Sequence, residues 1–154
     1  MLSKKAKYAI KALILLAKNL DNYPLTALKI SELEKIPKKY LEVILLELRN
    51  AGYIYSKKGA DGGYVLSKPA AEIFLPGIVR LMDGPIARVS CVSEYHYHSC
   101  AECIDEATCS IRKIYAKIRE AELAILSDTS IADMVNSEQL VEDTIYGGHE
   151  DGSI

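Results

Sequence analysis

The stretch that decides the fold reads IPKKYLEVILLELRNAGYIYSKKGADGGYVLSKP and covers residues 36–69. Between residues 38 and 51 the apolar side chains recur three and four positions apart, which predicts an amphipathic helix. Pro37 suits the start of that helix and Gly52 suits its end. The hydrophobic period then shortens to two in YIYSK and YVLS, which predicts two short strands around a glycine-rich turn. The stretch therefore predicts a helix followed directly by a β-hairpin.

Two further helices are predicted before this stretch. Residues 3–20 place apolar side chains at helical spacing with most of the lysines on the other face, and residues 30–33 form a shorter helical pattern. The order helix, turn, helix and hairpin is that of a winged helix-turn-helix, in which the second helix of the pair enters the DNA major groove. We therefore expect a mainly α fold with a small β-hairpin wing.

The glycine-rich turn at residues 58–63 has one competing interpretation. Glycine-rich loops also bind phosphates in nucleotide enzymes, but those loops lie between a strand and a helix and carry GxxxxGK[ST] or GxGxxG. This turn lies between two predicted strands and has neither motif. No nucleophile with a recognisable base and orienting group is found either, so we expect no catalytic residues and no enzyme.

The charge is distributed unevenly along the 154 residues. Residues 1–70 carry 13 Lys or Arg and 6 Asp or Glu, a balance of +7, whereas residues 71–154 carry 6 and 15, a balance of −9. A basic half joined to an acidic half indicates a nucleic-acid-binding module attached to something else. A lysine-rich solvated surface accounts for the charge equally well, so charge alone does not decide.

An apolar run, ALILLA at residues 12–17, superficially resembles a signal peptide. Lys11 and Lys18 bracket it too closely and no cleavage site follows, and nothing approaches the length of a membrane span. We therefore expect a cytoplasmic protein with no membrane partner. In such a reducing compartment, four cysteines indicate metal or redox chemistry rather than structural disulfides.

The strongest helix of the second half is predicted from about residue 106 to residue 126, with Asp105 as its N-cap. It carries an apolar seam spaced 3-4-3-4, which is typical of an a/d helix–helix interface. The seam could pack within its own domain, but because little sequence remains downstream to cover it we expect a homodimer. The seam residues are Ile111, Ile114, Ile118, Ala121 and Ile125.

We expect four regions along the chain. Residues 1–85 form the winged helix-turn-helix domain, and residues 86–108 form a cysteine-containing loop. Residues 109–136 form the dimerisation helix and a short closing helix. From residue 137 to residue 154 the sequence becomes polar and glycine-containing, so we expect a loosely ordered tail.

Several of these stretches resemble the Rrf-two family of bacterial winged-helix transcriptional regulators, which includes IscR-, NsrR- and CymR-like proteins. The resemblance runs from residue 3 to about residue 135. It rests on SKKAKYAIKAL (residues 3–13), IPKKYLEVILLELRNAGYI (36–54), KKGADGGYVLSKP (57–69) and IVRLMDGP (78–85), followed by the cysteines and the long helix. It implies a homodimer, joined through the long helix, whose two winged domains read a palindromic site in double-stranded DNA.

The resemblance also implies which residues contact DNA, and two of them depart from the iron–sulfur members. Lys58 stands where those members have arginine, and Glu42-Val43 replaces a Glu-Gln pair, so the operator should differ from theirs. We expect contacts from the recognition helix, the wing and, at phosphates, the start of the first helix. These residues are Lys38, Lys39, Tyr40, Glu42 and Val43, then Lys58, Gly59, Gly62 and Gly63, and finally Lys4 and Lys5.

All four cysteines lie in CVSEYHYHSCAECIDEATC, residues 91–109. Iron–sulfur members of the family have three cysteines separated by five residues each, and a histidine three positions after the last. Here Cys103 and Cys109 keep one such gap, eleven residues separate Cys91 from Cys103, and Arg112 replaces the histidine. Cys100 could supply the fourth ligand, which would give the all-cysteine set usual for iron–sulfur clusters.

Three interpretations of the cysteines stay open. The first is an iron–sulfur cluster on these four thiols. The second is zinc or another single metal ion, with His96 and His98 beside Cys100 and Cys103. The third is bare thiols, which either form a regulatory disulfide or have no present function. Cys109 is expected in the first turn of the long helix, where the helix dipole favours a thiolate. A cluster-free regulator controlled by a partner protein or small molecule, with the winged domain as an interaction module, is the alternative function.

Overall fold

The structure is a computed structural model that describes residues 1–19 and 23–146, with side chains as far as residue 141. It is mainly helical with one two-stranded antiparallel hairpin, so the predicted fold class is confirmed. The elements are α1 (Lys4–Lys18), α2 (Ala27–Glu34), α3 (Lys38–Asn50), β1 (Ile54–Lys57), β2 (Gly63–Leu66), α4 (Leu75–Asp83), α5 (Ser110–Ser127) and α6 (Ile131–Tyr146), with short 3-10 turns at Ala70–Glu72 and Ser90–Val92. None of these helices is long and apolar enough to cross a membrane, as far as the described residues go.

The ends of the first helices follow from local chemistry. Ser3 begins α1, where its hydroxyl oxygen accepts a hydrogen bond from the Ala6 N–H at 3.0 Å. Thr26 begins α2 in the same way, accepting from the Lys29 N–H at 3.1 Å. Lys35 adopts a left-handed backbone at φ 54°, which ends α2 and lets α3 start after Pro37. Such side-chain caps are each worth about 1 kcal/mol and fix where α1 and α2 begin.

The core is formed by one face of each of the first four helices and the inner residues of the hairpin. Burying a leucine or isoleucine side chain completely stabilises the fold by about 1.5–3 kcal/mol, so this cluster holds α3 rigidly against α1 and α2. The opposite face of α3 is thereby presented to solvent. The largest fully buried side chains are Leu13, Ile30, Ile36, Leu41, Ile44, Leu45, Leu48, Ile54, Ile73, Ile78 and Ile131.

The hairpin is fixed at its base by a third segment. β1 and β2 pair from Ile54 opposite Leu66 to Lys57 opposite Gly63. Leu25, just before α2, exchanges two backbone hydrogen bonds with Tyr64, at 3.1 and 2.8 Å. Because this bridge lies at the start of β2, the tip of the hairpin projects from a position set by α2.

Residues 137–146, the first part of the expected tail, continue α6, which runs to Tyr146. Ser130 and Asp133 cap the start of this helix reciprocally: the Ser130 N–H donates to Oδ2 of Asp133 at 2.8 Å, and the Asp133 N–H donates to Oγ of Ser130 at 3.2 Å. Ile131 is completely buried in the same core as α1, and Lys18 pairs with Glu138 at 2.6 Å. Residues 147–154 of the expected tail lie outside the described residues.

The long helix starts later than expected. Cys109, not Asp105, is the N-cap of α5, which begins at Ser110. The carboxylate of Asp105 instead accepts the Ala107 N–H at 3.0 Å, which closes a tight turn two residues further on. Cys109 therefore lies immediately before the helix rather than inside its first turn. No residue of α5 is buried.

Candidate nucleic-acid interface and cysteine cavity

The outward face of α3 lies opposite its buried leucines and isoleucines. At about 100° per residue, its centre is formed by Lys39, Val43, Leu46 and Asn50, all of which are exposed. Lys38 and Glu42 flank this centre and pair across one helical turn at 3.8 Å. Four of the five α3 residues predicted to contact DNA therefore lie on or beside one exposed surface.

The remaining predicted α3 contact, Tyr40, lies toward α1. Its ring packs edge-on against Tyr8, with ring centroids 5.8 Å apart. Further along the same side, Lys5 pairs with Glu47 at 2.8 Å. Both contacts fix α1 beside the recognition helix, and neither could be predicted from the sequence because they join residues far apart in the chain.

The lysines at the start of α1 have different environments. Lys4 is exposed, whereas Lys5 is engaged by Glu47. A part-exposed ion pair of this kind is worth less than about 1 kcal/mol, so a phosphate could compete for Lys5. Lys7, which the sequence analysis did not select, is also exposed on this helix.

The tip of the hairpin presents Lys58 and Gly59 to solvent, together with Lys57, which the sequence analysis did not select. The other two predicted glycines shape the turn. A Cβ on Gly62 would lie 2.5 Å from the Lys57 carbonyl oxygen, and a Cβ on Gly63 would lie 2.6 Å from the backbone of the bridging segment. Gly62 and Gly63 are therefore required for the turn itself, whereas Lys57 and Lys58 supply its charge.

The four cysteines line one cavity of about 190 Å³. Cys91 is buried in the 3-10 turn Ser90–Val92, Cys100 and Cys103 come from the following loop, and Cys109 precedes α5. The sequence placed these thiols in one segment, and the structure brings them to one space. Val89, Glu102, Ile111 and Arg112 complete the lining.

Arg112 joins the two ends of the cysteine segment. Its backbone N–H donates to Sγ of Cys109 at 3.4 Å, and its guanidinium Nε donates to the Cys91 carbonyl oxygen at 3.3 Å. Nε also lies 3.5 Å from a carboxylate oxygen of Glu106. Arg112 therefore bonds both ends of the cysteine segment, through its backbone to Cys109 and through its guanidinium to Cys91.

The thiols that line the cavity shift the pKa values of Cys100 and Cys103. Desolvation raises the pKa of Cys100, and a hydrogen bond with Cys91 and the charge of that thiol raise it further. Desolvation also raises the pKa of Cys103, followed by the charge of Cys109. Cys100 and Cys103 are therefore held as thiols at neutral pH, and a bound metal would have to displace their protons.

The donor set of this cavity suits an iron–sulfur cluster, because all four candidate ligands are thiols. Within residues 1–19 and 23–146, no three His, Cys, Asp or Glu side chains, the four thiols included, are close enough together to hold one metal ion. Binding either a cluster or a single ion would therefore require the ligands to move closer together. His96 and His98 do not line the cavity. The His98 backbone pairs with Ser90, next to Cys91, and the His96 N–H donates to the Ser93 hydroxyl.

The apolar seam of α5 lies on the outer surface of the chain. Ile111, Ile114, Ile118 and Ile125 are 61, 55, 39 and 69% exposed, and Ala121 between them is exposed as well. The other face of the helix contacts α4 and the 3-10 turn that carries Cys91. Ile111 belongs to both surfaces, since it also lines the cysteine cavity.

A last contact connects the start of the cysteine segment to α1. Asp83 ends α4, and one of its carboxylate oxygens accepts the Ser3 N–H at 3.0 Å while the other accepts the Ser3 hydroxyl. Ser3 is the N-cap of α1. The segment that leads to the cysteines is therefore bonded to the end of α1 that carries Lys4 and Lys5.

Comparison with known proteins agrees with this architecture. The Rrf2 family, described as an iron-dependent transcriptional regulator, matches residues 2–137. An rrf2-like HTH-type transcriptional regulator of Rhodobacter capsulatus is 40% identical over 138 residues, which cover 88% of this chain and 92% of that protein. The HTH-type transcriptional regulator CymR of Bacillus subtilis is 30% identical over 135 residues, which cover 88% and 89%.

A solved structure shows the same fold. The structure of CymR, the global cysteine regulator of B. subtilis, superposes with a TM-score of 0.74 at 30% identity, over 89% of this chain and 97% of that one. The winged-helix prediction is thereby confirmed, and so is the expectation of a regulator rather than an enzyme. The chain belongs to the Rrf2 family of HTH-type transcriptional regulators.

Proposed function

We propose that this regulator binds a palindromic operator as a homodimer and that its cysteine cavity sets its affinity for DNA. The proposal keeps the division into a DNA-binding domain (residues 1–85), a cysteine loop (86–108), and a dimerisation helix with a closing helix (109–136). The observation that carries it is the position of the cavity. All four thiols face one space, and Ile111 in the wall of that space also belongs to the exposed seam of α5.

DNA binding is assigned to α3, the hairpin tip and the start of α1. Lys39 and Val43 lie at the centre of the outward face of α3, and Lys58 lies at the hairpin tip. Exposed lysines at such separated points suit phosphate contacts on both sides of a groove entered by the helix. A protein-interaction module would instead show no preference among DNA sequences at physiological salt.

Dimerisation is assigned to the α5 seam. Four isoleucines on one helical face leave a large apolar stripe in water, and a second copy of the same stripe is the self-complementary surface that a two-fold axis requires. Such an axis would place two α3 helices about one DNA turn apart, which matches a palindromic operator.

Sensing is assigned to the cavity. Cys91, Cys100, Cys103 and Cys109 would hold an iron–sulfur cluster, which when bound would supply a redox-sensitive charge at this place. The chain itself supplies the mechanical connection. Arg112 braces Cys91 to Cys109, so ordering the loop fixes the first turn of α5.

A path from the cavity to the DNA-binding surface runs through α1. Asp83 bonds Ser3 at the start of α1, and α1 in turn contacts α3 through the Lys5–Glu47 ion pair. A change in the loop that shifts α4 would therefore shift α1 and α3 together. A coupling of about 1–3 kcal/mol between cavity and operator is sufficient for regulation.

The test is anaerobic reconstitution with iron and sulfide, followed by visible absorption and DNA binding of the same samples. We expect absorption that Cys103→Ser and Cys109→Ser abolish, and an operator affinity that changes with it. His98→Ala, outside the cavity, is the matched control and should keep the absorption. Colourless protein with one tightly held zinc per chain would favour a single metal ion. Colourless, metal-free protein whose DNA binding responds to the Cys→Ser changes would favour bare thiols. If neither metal nor any effect is found, the cavity is not the sensor.

A further inference from the structure

The middle of the outward face of α3, between Lys39 and Asn50, is apolar. Val43 is 49% exposed and Leu46 is 45% exposed, and the two lie three residues apart on one side of the helix. Between them they separate Lys39 at the start of the helix from Asn50 at its end. Two branched apolar side chains thus occupy the middle of the surface that should enter a groove.

The hydrogen-bonding side chains around this apolar centre are already engaged or lie at its margin. Glu42 pairs with Lys38, and Glu47 pairs with Lys5 of α1. Asn50 is the last residue of α3, a full turn beyond Leu46, whereas recognition helices contact base edges with residues nearer their N-terminus. Discrimination between bases at the middle of the helix therefore falls to Val43 and Leu46, which can neither donate nor accept a hydrogen bond.

The major groove offers one apolar feature that distinguishes a base, the C5-methyl group of thymine. The edges of guanine, cytosine and adenine present donors and acceptors there, which a valine or leucine side chain would desolvate without replacing their hydrogen bonds. Contact between an apolar side chain and the groove floor therefore strengthens binding at thymine and weakens it at the other bases.

We infer that Val43 and Leu46 form a methyl-reading patch, which selects thymines at the positions of each half-site that face the middle of α3. The inference rests on the proposed DNA-binding role and adds the class of base that the operator must present. The exposed lysines at the start of α3 (Lys38 and Lys39) and at the hairpin tip (Lys58) favour DNA as the occupant of this face, since a phosphate backbone complements their charge.

The test begins with selection of bound sequences from a randomised DNA duplex pool, using the full chain. Each thymine of the selected site is then replaced by uracil, which removes the methyl group and leaves every hydrogen-bonding group in place. Loss of one buried methyl contact should weaken binding about fourfold, because burying one such group is worth about 0.8 kcal/mol. At least one thymine per half-site should show this loss, and thymines outside the half-sites should show none.

A double-mutant cycle assigns the effect to the patch. With Val43→Ala or Leu46→Ala, the loss at the corresponding thymine should shrink toward onefold, because the contact is already gone. Lys39→Ala is the matched control on the same face and should weaken binding to thymine and uracil duplexes equally. All three side chains are exposed, and circular dichroism of each variant checks that α3 is intact.

Two outcomes separate this inference from the function on which it rests. If a specific sequence is selected but uracil binds as tightly as thymine at every position, the methyl-reading patch is wrong and the DNA-binding role stands. If no sequence is selected at physiological salt, both are wrong. A selected site without thymine in its half-sites would also overturn the inference.

Discussion

Replacing Ile118 with aspartate should convert the proposed dimer to a monomer. Ile118 is 39% exposed, and full burial of an isoleucine is worth about 1.5–3 kcal/mol, so covering its exposed part contributes about 1 kcal/mol per copy. The variant loses this burial free energy in both copies, about 2 kcal/mol per dimer. It also places two carboxylates at the two-fold seam, where desolvating unpaired charges costs at least about 2 kcal/mol more. The total of about 4 kcal/mol corresponds to a roughly thousandfold weaker association.

Sedimentation equilibrium over a range of protein concentrations measures this association directly. Lys113→Asp, an exposed charge change on the same helix but away from the seam, is the matched control and should leave the dimer intact. Because Ile118 is already in contact with solvent, the stability of the isolated chain in urea should change by no more than about 0.5 kcal/mol. A dimer of unchanged affinity would show that α5 associates through another surface. A monomer that unfolds at much lower urea would show that the seam packs within one chain.

Three further outcomes follow from contacts described above. Lys58→Ala should weaken operator binding by about 1–3 kcal/mol and Lys39→Ala should lower the salt slope by about one; if both variants bind like the parent at every salt concentration, the docking of α3 and the hairpin is wrong. Hydrogen bonds from Ser130 lower the pKa of Asp133 below its usual 3.8, so the stabilisation it gives α6 should be complete above that pH and should be lost as the pH falls through the lowered value. Asp133→Asn should therefore destabilise the chain in urea more at pH 7 than at pH 2, and equal effects at both would contradict this. Gly63→Ala should destabilise the fold by more than about 1 kcal/mol, because its Cβ would lie 2.6 Å from the facing backbone, and an unchanged urea midpoint would refute that close approach.

The parts of the fold that could be predicted from the sequence are those with local causes. The change of hydrophobic period after residue 51 located α3 and the hairpin to within a few residues, since side-chain periodicity depends only on neighbours along the chain. The start of α5 was misplaced because Asp105 and Cys109 can both cap a helix, and the choice depends on which N–H the Asp105 carboxylate meets. The extension of α6 beyond residue 136 could not be predicted, because its ion pair with α1, between Lys18 and Glu138, joins residues far apart in the sequence.

The cysteine cavity divides in the same way. Clustering of the thiols in one segment predicted that they would lie near one another, and Cys91, Cys100, Cys103 and Cys109 do line one space. The position of His98 outside the cavity depends on its backbone pairing with Ser90, and residue spacing does not predict that pairing. Likewise, nothing in the sequence indicated that Arg112 would bond both ends of the loop.

The exposure of α5 has a thermodynamic consequence for the cavity beside it. The helix contributes no buried residue, yet Cys109, Ile111 and Arg112 at its start form part of the cavity wall. A helix of this length is only marginally stable in water by itself. The proposed dimer would therefore stabilise α5, and with it the cavity wall, to an extent that rises with protein concentration. Reciprocity then requires that any ligand bound more tightly by the dimer must strengthen the dimer by the same factor. The abundance of the regulator would thus determine how much of it retains its ligand, as well as how many operators it occupies.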